Sequence, residues 1–281
     1  MKIAYFGTGL LGSGFVHHLR ELGHEVNVWN RSADKARALE ADGARACATP
    51  AEAVRGVEQL HLTLADDASV DAVLEPLAGV IDRAAWIVDH TTTAPTPTAE
   101  RVARWGTRGV RFVHAPVFMG PANARDASGM MLVSGEQARY VALRATLESM
   151  TGRLVYLGEA PERAAAFKLF GNLVIIAMIG ALGDVNRLAA GLGIPTAEAL
   201  GLFAQFNPGQ LLSGRAAKIA GGDFSPPSFE LMMARKDVRL MLEEAKRHGV
   251  DLLVMPGVAA MLDAAIARGD GALDMGAMAK A

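Results

Sequence analysis

The chain begins with a short β-rich stretch, Ile3 to Phe6, that runs directly into Gly7-Thr8-Gly9-Leu10-Leu11-Gly12 and then into an amphipathic helical stretch, Ser13 to Gly23. A strand feeding a G-x-G-x-x-G turn that opens a helix leaves few folds open, because each glycine has a separate task. Gly7 permits the tight turn, Gly9 lets the backbone approach a pyrophosphate, and Gly12 allows the helix to pack closely on the strand. The amide-rich start of the helix then faces the anion, so the Gly7 to Gly12 segment, with Thr8, Leu10 and Leu11 between its glycines, reads as a dinucleotide phosphate site.

The rest of the N-terminal half fits that start. Ile3–Phe6, Glu25–Trp29, Gln59–Leu64, Trp86–Asp89, Arg111–Ala115 and Met130–Ser134 are strand candidates, with helical stretches between them. Alternation of this kind predicts βαβ units and a parallel sheet. Residues 1–159 are therefore expected to form a doubly wound Rossmann domain, and residues 160–281 an all-α domain, since strand signals stop near Pro161. The first helix of the second half, roughly Glu162 to Leu192, is apolar on nearly every face. Its uninterrupted apolar run, Leu173 to Leu182, is shorter than the roughly 18 residues of a membrane span. It reads as a buried helix with more than one packing partner, one of them a second subunit, so a homodimer or higher homo-oligomer is expected.

The strand that ends at Trp29 leads into Asn30-Arg31-Ser32, where NAD-preferring sites present a carboxylate to the ribose 2′-hydroxyl. This sequence has none there. Asn30 is neutral, Arg31 offers a forked cation, Ser32 a hydroxyl, and Lys35 a second cation one turn along the next helix. The set favours NADP(H), with NAD an admissible second cofactor. Other strand ends place Leu64, Ala65 and Thr92 at the same sheet edge as further cofactor contacts.

The charge balance argues against several other functions. With 28 basic and 30 acidic residues the net charge is −2, so there is no basic field for nucleic acid. The single cysteine, Cys47, forms no internal disulfide, and no Cys/His spacing suits a metal. A start directly on a fold, with no secretory apolar region, leads us to expect a cytoplasmic protein without membrane attachment.

Chemistry is expected at Lys168, set in Ala164-Ala165-Ala166-Phe167-Lys168-Leu169-Phe170. Burial would lower its pKa toward the range of a general acid or base, and Asn172, four residues on, shares its helix face. A lysine whose stem packs while its ammonium reaches water is the competing reading. Phe118, Met119 and Gly120 lie on a turn-rich connection, Ala115 to Asn123, where Gly120 could offer its amide to a substrate oxygen. Phe229 and Lys236, seven apart, are read as sharing one helix face.

Taken together, Gly7 to Gly12, Gly23-His24-Glu25-Val26, Asn30-Arg31-Ser32, Ala115-Pro116-Val117, Lys168 with Asn172, and Gly222-Asp223-Phe224 leading to Lys236-Asp237 resemble the β-hydroxyacid dehydrogenase family. That family includes 3-hydroxyisobutyrate dehydrogenase and the glyoxylate/succinic semialdehyde reductases. The resemblance implies NAD(P)-linked oxidoreduction of a small carbonyl or hydroxyacid substrate, a catalytic lysine at Lys168, and cofactor contact by Lys236. One departure stands out: the family's substrate loop reads Ser-Gly-Gly where this chain has Phe118-Met119-Gly120, which favours a bulkier or less polar carbonyl compound. Two rival readings are an imine reductase, a type that generally lacks the lysine, and a non-catalytic NADPH-binding protein.

Overall fold

The computed structural model describes residues 1–280. It contains two compact units, Met1–Asn172 and Leu173–Ala281, and the long helix Arg163–Gly191 runs through the junction.

Six parallel strands form the main sheet of the first unit: β1 (Lys2–Phe6), β2 (Glu25–Trp29), β3 (Arg45–Ala46), β4 (Gln59–Leu62), β5 (Trp86–Asp89) and β6 (Arg111–His114). Their order is β3-β2-β1-β4-β5-β6, the doubly wound arrangement expected. The chain reverses direction of travel across the sheet between β1 and β4, and a crevice opens at the carboxyl ends of such neighbours. Alternation along each strand divides the apolar side chains between the two faces. Tyr5, Val28, Val88 and Val113 join one cluster, while Phe6, Leu60, Ile87 and Phe112 join another.

Three corrections concern the remaining strands. Met130–Ser134 does not extend the main sheet: β8 (Met130–Val133) lies between β7 (Val117–Phe118) and β9 (Arg153–Tyr156) in a separate three-stranded sheet. The connection read as a loop contains β7, which pairs antiparallel with β8, Phe118 opposite Met130, and the short helix Pro121–Arg125. The two-residue strand β3 and the strand β9 carried no alternation strong enough to be read.

The second unit is helical, as expected. After the long helix come Thr196–Gln205, Leu212–Gly221, Leu231–Arg247 and Met255–Ala267. Asp184 of the long helix accepts hydrogen bonds from the amides of Leu253, Val254 and Met255 at 2.7, 2.8 and 3.0 Å, capping the start of the last of these helices. Within one chain, only 11% of the helix's most apolar stretch of 18 residues is buried, so the expected burial against several partners is not met by this chain's own helices. By length and composition this helix could cross a membrane. Its sequence shows that it is apolar all round but cannot say what it packs against.

Candidate active site

The glycine turn is built as its sequence requires. Gly7 has φ +87°, and a Cβ there would lie 2.0 Å from the carbonyl oxygen of Thr63. A Cβ on Gly12 would lie 1.9 Å from the carbonyl oxygen of Gly7, so both positions are closed to larger residues by the protein itself. Gly9 differs: nothing lies within 4 Å of where its Cβ would be. Open space at a position that the turn does not oblige to be glycine suits close approach of a ligand to the backbone, and so the cradle fits a dinucleotide pyrophosphate.

Beside it a groove of about 550 Å³ is lined by Gly7, Gly9, Asn30, Arg31, Lys35 and Leu64, among others. Asn30 is held inward, accepting from the Thr8 amide at 3.2 Å and donating to the Ser32 carbonyl at 3.0 Å. It thereby ties the glycine turn to the Arg31 loop. Arg31, Ser32 and Lys35 are exposed along the groove, and the nearby Asp34 carboxylate pairs with Arg37. Ala65 and Thr92 lie just past β4 and β5, both exposed, and Leu10 is exposed at the start of its helix. Leu64 is set by a hydrogen bond from its amide to Thr91 Oγ1 at 2.9 Å.

Lys168 is buried, with 8% of its surface exposed. Desolvation lowers its pKa from the ordinary lysine value, as burial without a carboxylate partner should. Its Nζ donates to Asn172 Oδ1 at 3.0 Å and stands 4.2 Å from the centroid of the Phe118 ring. Gly171 forms the notch for that ring, since a Cβ there would come within 2.3 Å of Phe118 Cζ. An ammonium has three N–H donors; one is directed to Asn172 and one side rests on the aromatic face, a favourable cation–π arrangement. The remaining donor capacity can serve a substrate oxygen.

The residues following β7 are less accommodating than the sequence suggested. The Gly120 amide is already engaged, donating to Asn123 Oδ1 at 2.8 Å, because Gly120 is the N-cap of the helix Pro121–Arg125. The expectation that it would lend this amide to a substrate is corrected. Met119 is half-buried and packs on the apolar cluster that contains Tyr5.

Phe229 and Lys236 belong to the second unit, and they do not share one helix. Glu230 caps the helix Leu231–Arg247, so Phe229 precedes it. The backbone at Phe229 is held elsewhere, its carbonyl accepting from the Met275 amide at 2.8 Å. Lys236 pairs with the neighbouring Asp237 at 2.9 Å.

Sequence reasoning missed the contact between Phe118 and Lys168, and it also missed a buried chain under the sheet edge. His90 Nδ1 donates to the Ala115 carbonyl at 2.7 Å, His90 Nε2 meets His61 Nδ1 at 3.0 Å, and His61 Nε2 meets the Gln59 side-chain amide at 2.9 Å. The only signal available was one histidine inside a strand, His61 in β4, and one directly after another, His90 past β5. Among the described residues no group of three or more potential metal ligands occurs.

Two family descriptions match this chain: the NAD binding domain of 6-phosphogluconate dehydrogenase over residues 2–158, and the NAD-binding domain of NADP-dependent 3-hydroxyisobutyrate dehydrogenase over residues 163–281. Glyoxylate/succinic semialdehyde reductase 1 of Arabidopsis thaliana is 28% identical over 288 residues, covering 100% of this chain and 98% of the relative. The cytokine-like nuclear factor N-PAC of Homo sapiens is 32% identical over 249 residues, 86% of this chain. The matched stretch spans less than half of that protein, 44% of its length. Among solved structures, a Streptomyces aurantiacus imine reductase superposes with a TM-score of 0.87 at 25% identity, covering 99% of this chain and 98% of that one.

Proposed function

We propose a specific reaction from the premise that this chain belongs to the NAD(P)-binding oxidoreductase family of the 6-phosphogluconate and 3-hydroxyisobutyrate dehydrogenases. The reaction is the reduction of a small carbonyl compound to its alcohol, with Lys168 as proton donor and NADP(H) preferred over NAD(H). The nicotinamide cofactor supplies the hydride. Lys168, as ammonium, protonates the substrate oxygen as negative charge develops on it, and neutral Lys168 takes the proton back in the reverse direction. Asn172 fixes the direction in which the lysine points. The observation that carries this reading is the buried Lys168 ammonium, held 3.0 Å from Asn172 Oδ1 by a neutral acceptor in place of a carboxylate.

Cofactor preference rests on Arg31, Ser32 and Lys35 along the groove and on the absence of a carboxylate at position 30. The test measures NADPH consumption against aldehydes, ketones and cyclic imines in wild type, Lys168→Ala and Arg31→Ala. Lys168→Ala should lose about a hundredfold to ten-thousandfold in kcat while binding NADPH as before; full turnover in that variant overturns the assignment. Because reduction needs the ammonium, wild-type rates should fall as pH rises through the lowered Lys168 pKa, below its ordinary 10.5, and this alkaline limb should vanish in Lys168→Ala. Arg31→Ala should cut kcat/KM with NADPH by about tenfold to a hundredfold and leave NADH nearly unaffected. An unchanged NADPH to NADH ratio refutes the phosphate-binding role.

Likeness to the imine reductase supports a second reading, reduction of a C=N bond; faster turnover of cyclic imines than of any carbonyl compound would favour it.

Self-association is part of the same proposal, in a cytoplasmic protein. Ile176 and Ile179 are 68% and 63% exposed on the long helix, and within the second unit an apolar groove of about 550 Å³ includes Leu188, Leu192, Leu202 and Met255. A second copy can cover both surfaces. Insertion in a membrane is disfavoured because Asp184 docks the same helix to the helix Met255–Ala267, making it one wall of a folded unit.

A further inference from the structure

The Phe118 ring moves no proton and carries no hydride, yet the fold makes room for it. Gly171 leaves the notch that the ring enters, and the ring covers one side of the Lys168 ammonium at 4.2 Å. After the bond to Asn172 and the contact with the ring, the lysine has donor capacity for a single substrate oxygen. A substrate that also carried a carboxylate would need further donors nearby. The side chains at positions 118 and 119 have none to give, since Phe118 and Met119 carry no N–H or O–H there, and the Gly120 amide donates to Asn123 Oδ1. Asn123 Nδ2 in turn donates to Ser128 Oγ at 3.0 Å. A carboxylate brought against this wall would lose its hydration without compensation.

We propose that Phe118 determines the substrate class, its ring filling the place at Gly171 where a second, charged group of the substrate would bind, so that the site takes uncharged aldehydes and ketones and discriminates against oxoacids. The inference rests on the reading of Lys168 as the proton donor to a carbonyl oxygen. Phe118 acts by shape and by the hydrogen bonds it withholds.

The test compares butanal with succinic semialdehyde, two aldehydes of the same chain length that differ by a terminal carboxylate, in wild type, Phe118→Ser and Phe118→Leu. Wild type should favour butanal in kcat/KM by about tenfold or more, the scale of one unmade hydrogen bond to a charged group. Phe118→Ser supplies a hydroxyl and opens the notch, and should shift the ratio by about tenfold or more toward succinic semialdehyde at unchanged NADPH affinity. Phe118→Leu, still apolar, should keep the wild-type ratio within about threefold. A wild-type preference for succinic semialdehyde, an unmoved ratio in Phe118→Ser, or an equal shift in Phe118→Leu overturns the proposal. Should Phe118→Ser fail to fold, the wild-type ratio still decides.

Failure of the underlying reading looks different. It appears as full turnover in Lys168→Ala, or as no turnover of either aldehyde by wild type. In the latter case NMR titration of the NADP⁺-loaded protein with 1-butanol and 4-hydroxybutyrate makes the same comparison without chemistry. Tighter binding of the alcohol without a carboxylate supports the proposal, and tighter binding of 4-hydroxybutyrate overturns it.

Discussion

The two units use apolar side chains in opposite ways. In residues 1–172 the large ones fill two clusters against the sheet, with Tyr5, Phe15, Leu60, Trp105 and Phe112 all essentially inaccessible. In residues 173–281 the internal cluster is small and alanine-rich, with Phe224, Leu231, Val238 and Leu262 among Ala234, Ala259, Ala265 and Ala277. Ile176, Ile179, Phe206, Leu211 and Leu253 meanwhile remain more than half exposed. A chain does not keep that much apolar surface in contact with water without a purpose. The first unit thus buries most of its large apolar side chains internally, whereas the second leaves many of its own uncovered within one chain.

The largest expected effect comes from that contrast. Ile176→Glu combined with Ile179→Glu puts charges on the exposed face of the long helix, and each buried isoleucine side chain is worth about 1.5–3 kcal/mol. Two per copy on two copies should weaken self-association by at least about a thousandfold. Light scattering should then show wild type as a dimer or larger and the variant near the 29.5 kDa of a single chain. A wild type that is already monomeric at micromolar concentration breaks the comparison, because the apolar face would then be stable in water unaided.

The difference between the units also explains how much of the molecule is legible in its sequence. The Gly7 to Gly12 turn is legible because the left-handed backbone at Gly7 and the close approach of the Gly7 carbonyl to Gly12 leave room only for glycine. The strands β1, β2, β4, β5 and β6 are legible because each is a short β-rich run set between helical stretches. Lys168 and Asn172 are legible as a pair because their spacing alone puts them on one helix face. By contrast, the engagement of the Gly120 amide, the place of Phe118 against Lys168, and the histidines beneath the sheet edge depend on contacts that no local pattern records. The exposure of the long helix is of this kind too, since composition records the need for burial but not the occupant.

The next effect sharpens the contrast from the other side, because the second unit compensates for its thin core with a polar hub. Asp274 is fully buried and accepts from Arg215 Nη1 at 2.8 Å, Lys218 Nζ at 3.2 Å, the Ser228 amide and hydroxyl at 2.9 and 2.7 Å, and the Gly276 amide at 3.0 Å. Burial alone would raise its pKa, but the hydrogen bonds from Gly276 and Ser228, with Lys218, outweigh it and hold the carboxyl far below the usual range. Asp274→Ala leaves these donors without their acceptor and should cost about 3 kcal/mol or more. Urea unfolding followed by hydrogen exchange should place the loss in residues 173–281. A loss of less than about 1 kcal/mol, or one spread evenly over both units, would mean that the hub is not what holds the second unit together.

The smallest effect separates the units by acid. His61 and His90 are fully buried; burial lowers the His61 pKa well below 6.5 and that of His90 to about 4. The Ala115 carbonyl can only accept, so His90 Nδ1 must donate to it and His90 Nε2 must accept from His61 Nδ1. A proton added to His90 Nε2 would set two N–H groups against each other, which reinforces the cost of burying the charge on that ring. The unfolded chain therefore binds protons that the native one refuses, and stability falls as pH drops from about 6.5 toward 4, approaching about 1.4 kcal/mol per pH unit for each ring. Asp274 behaves oppositely: its contribution is present above the ordinary carboxylate pKa of 3.8 and is lost only as pH falls below that value. Between about pH 6 and 4.5, hydrogen exchange should consequently report weakening of residues 1–172 while protection around Asp274 persists. His90→Gln should flatten the pH dependence of unfolding by roughly one proton's worth, about 1.4 kcal/mol per pH unit at most. If the second unit loses protection first, or if His90→Gln keeps the wild-type slope, the acid sensitivity of the first unit does not come from its neutral histidine chain.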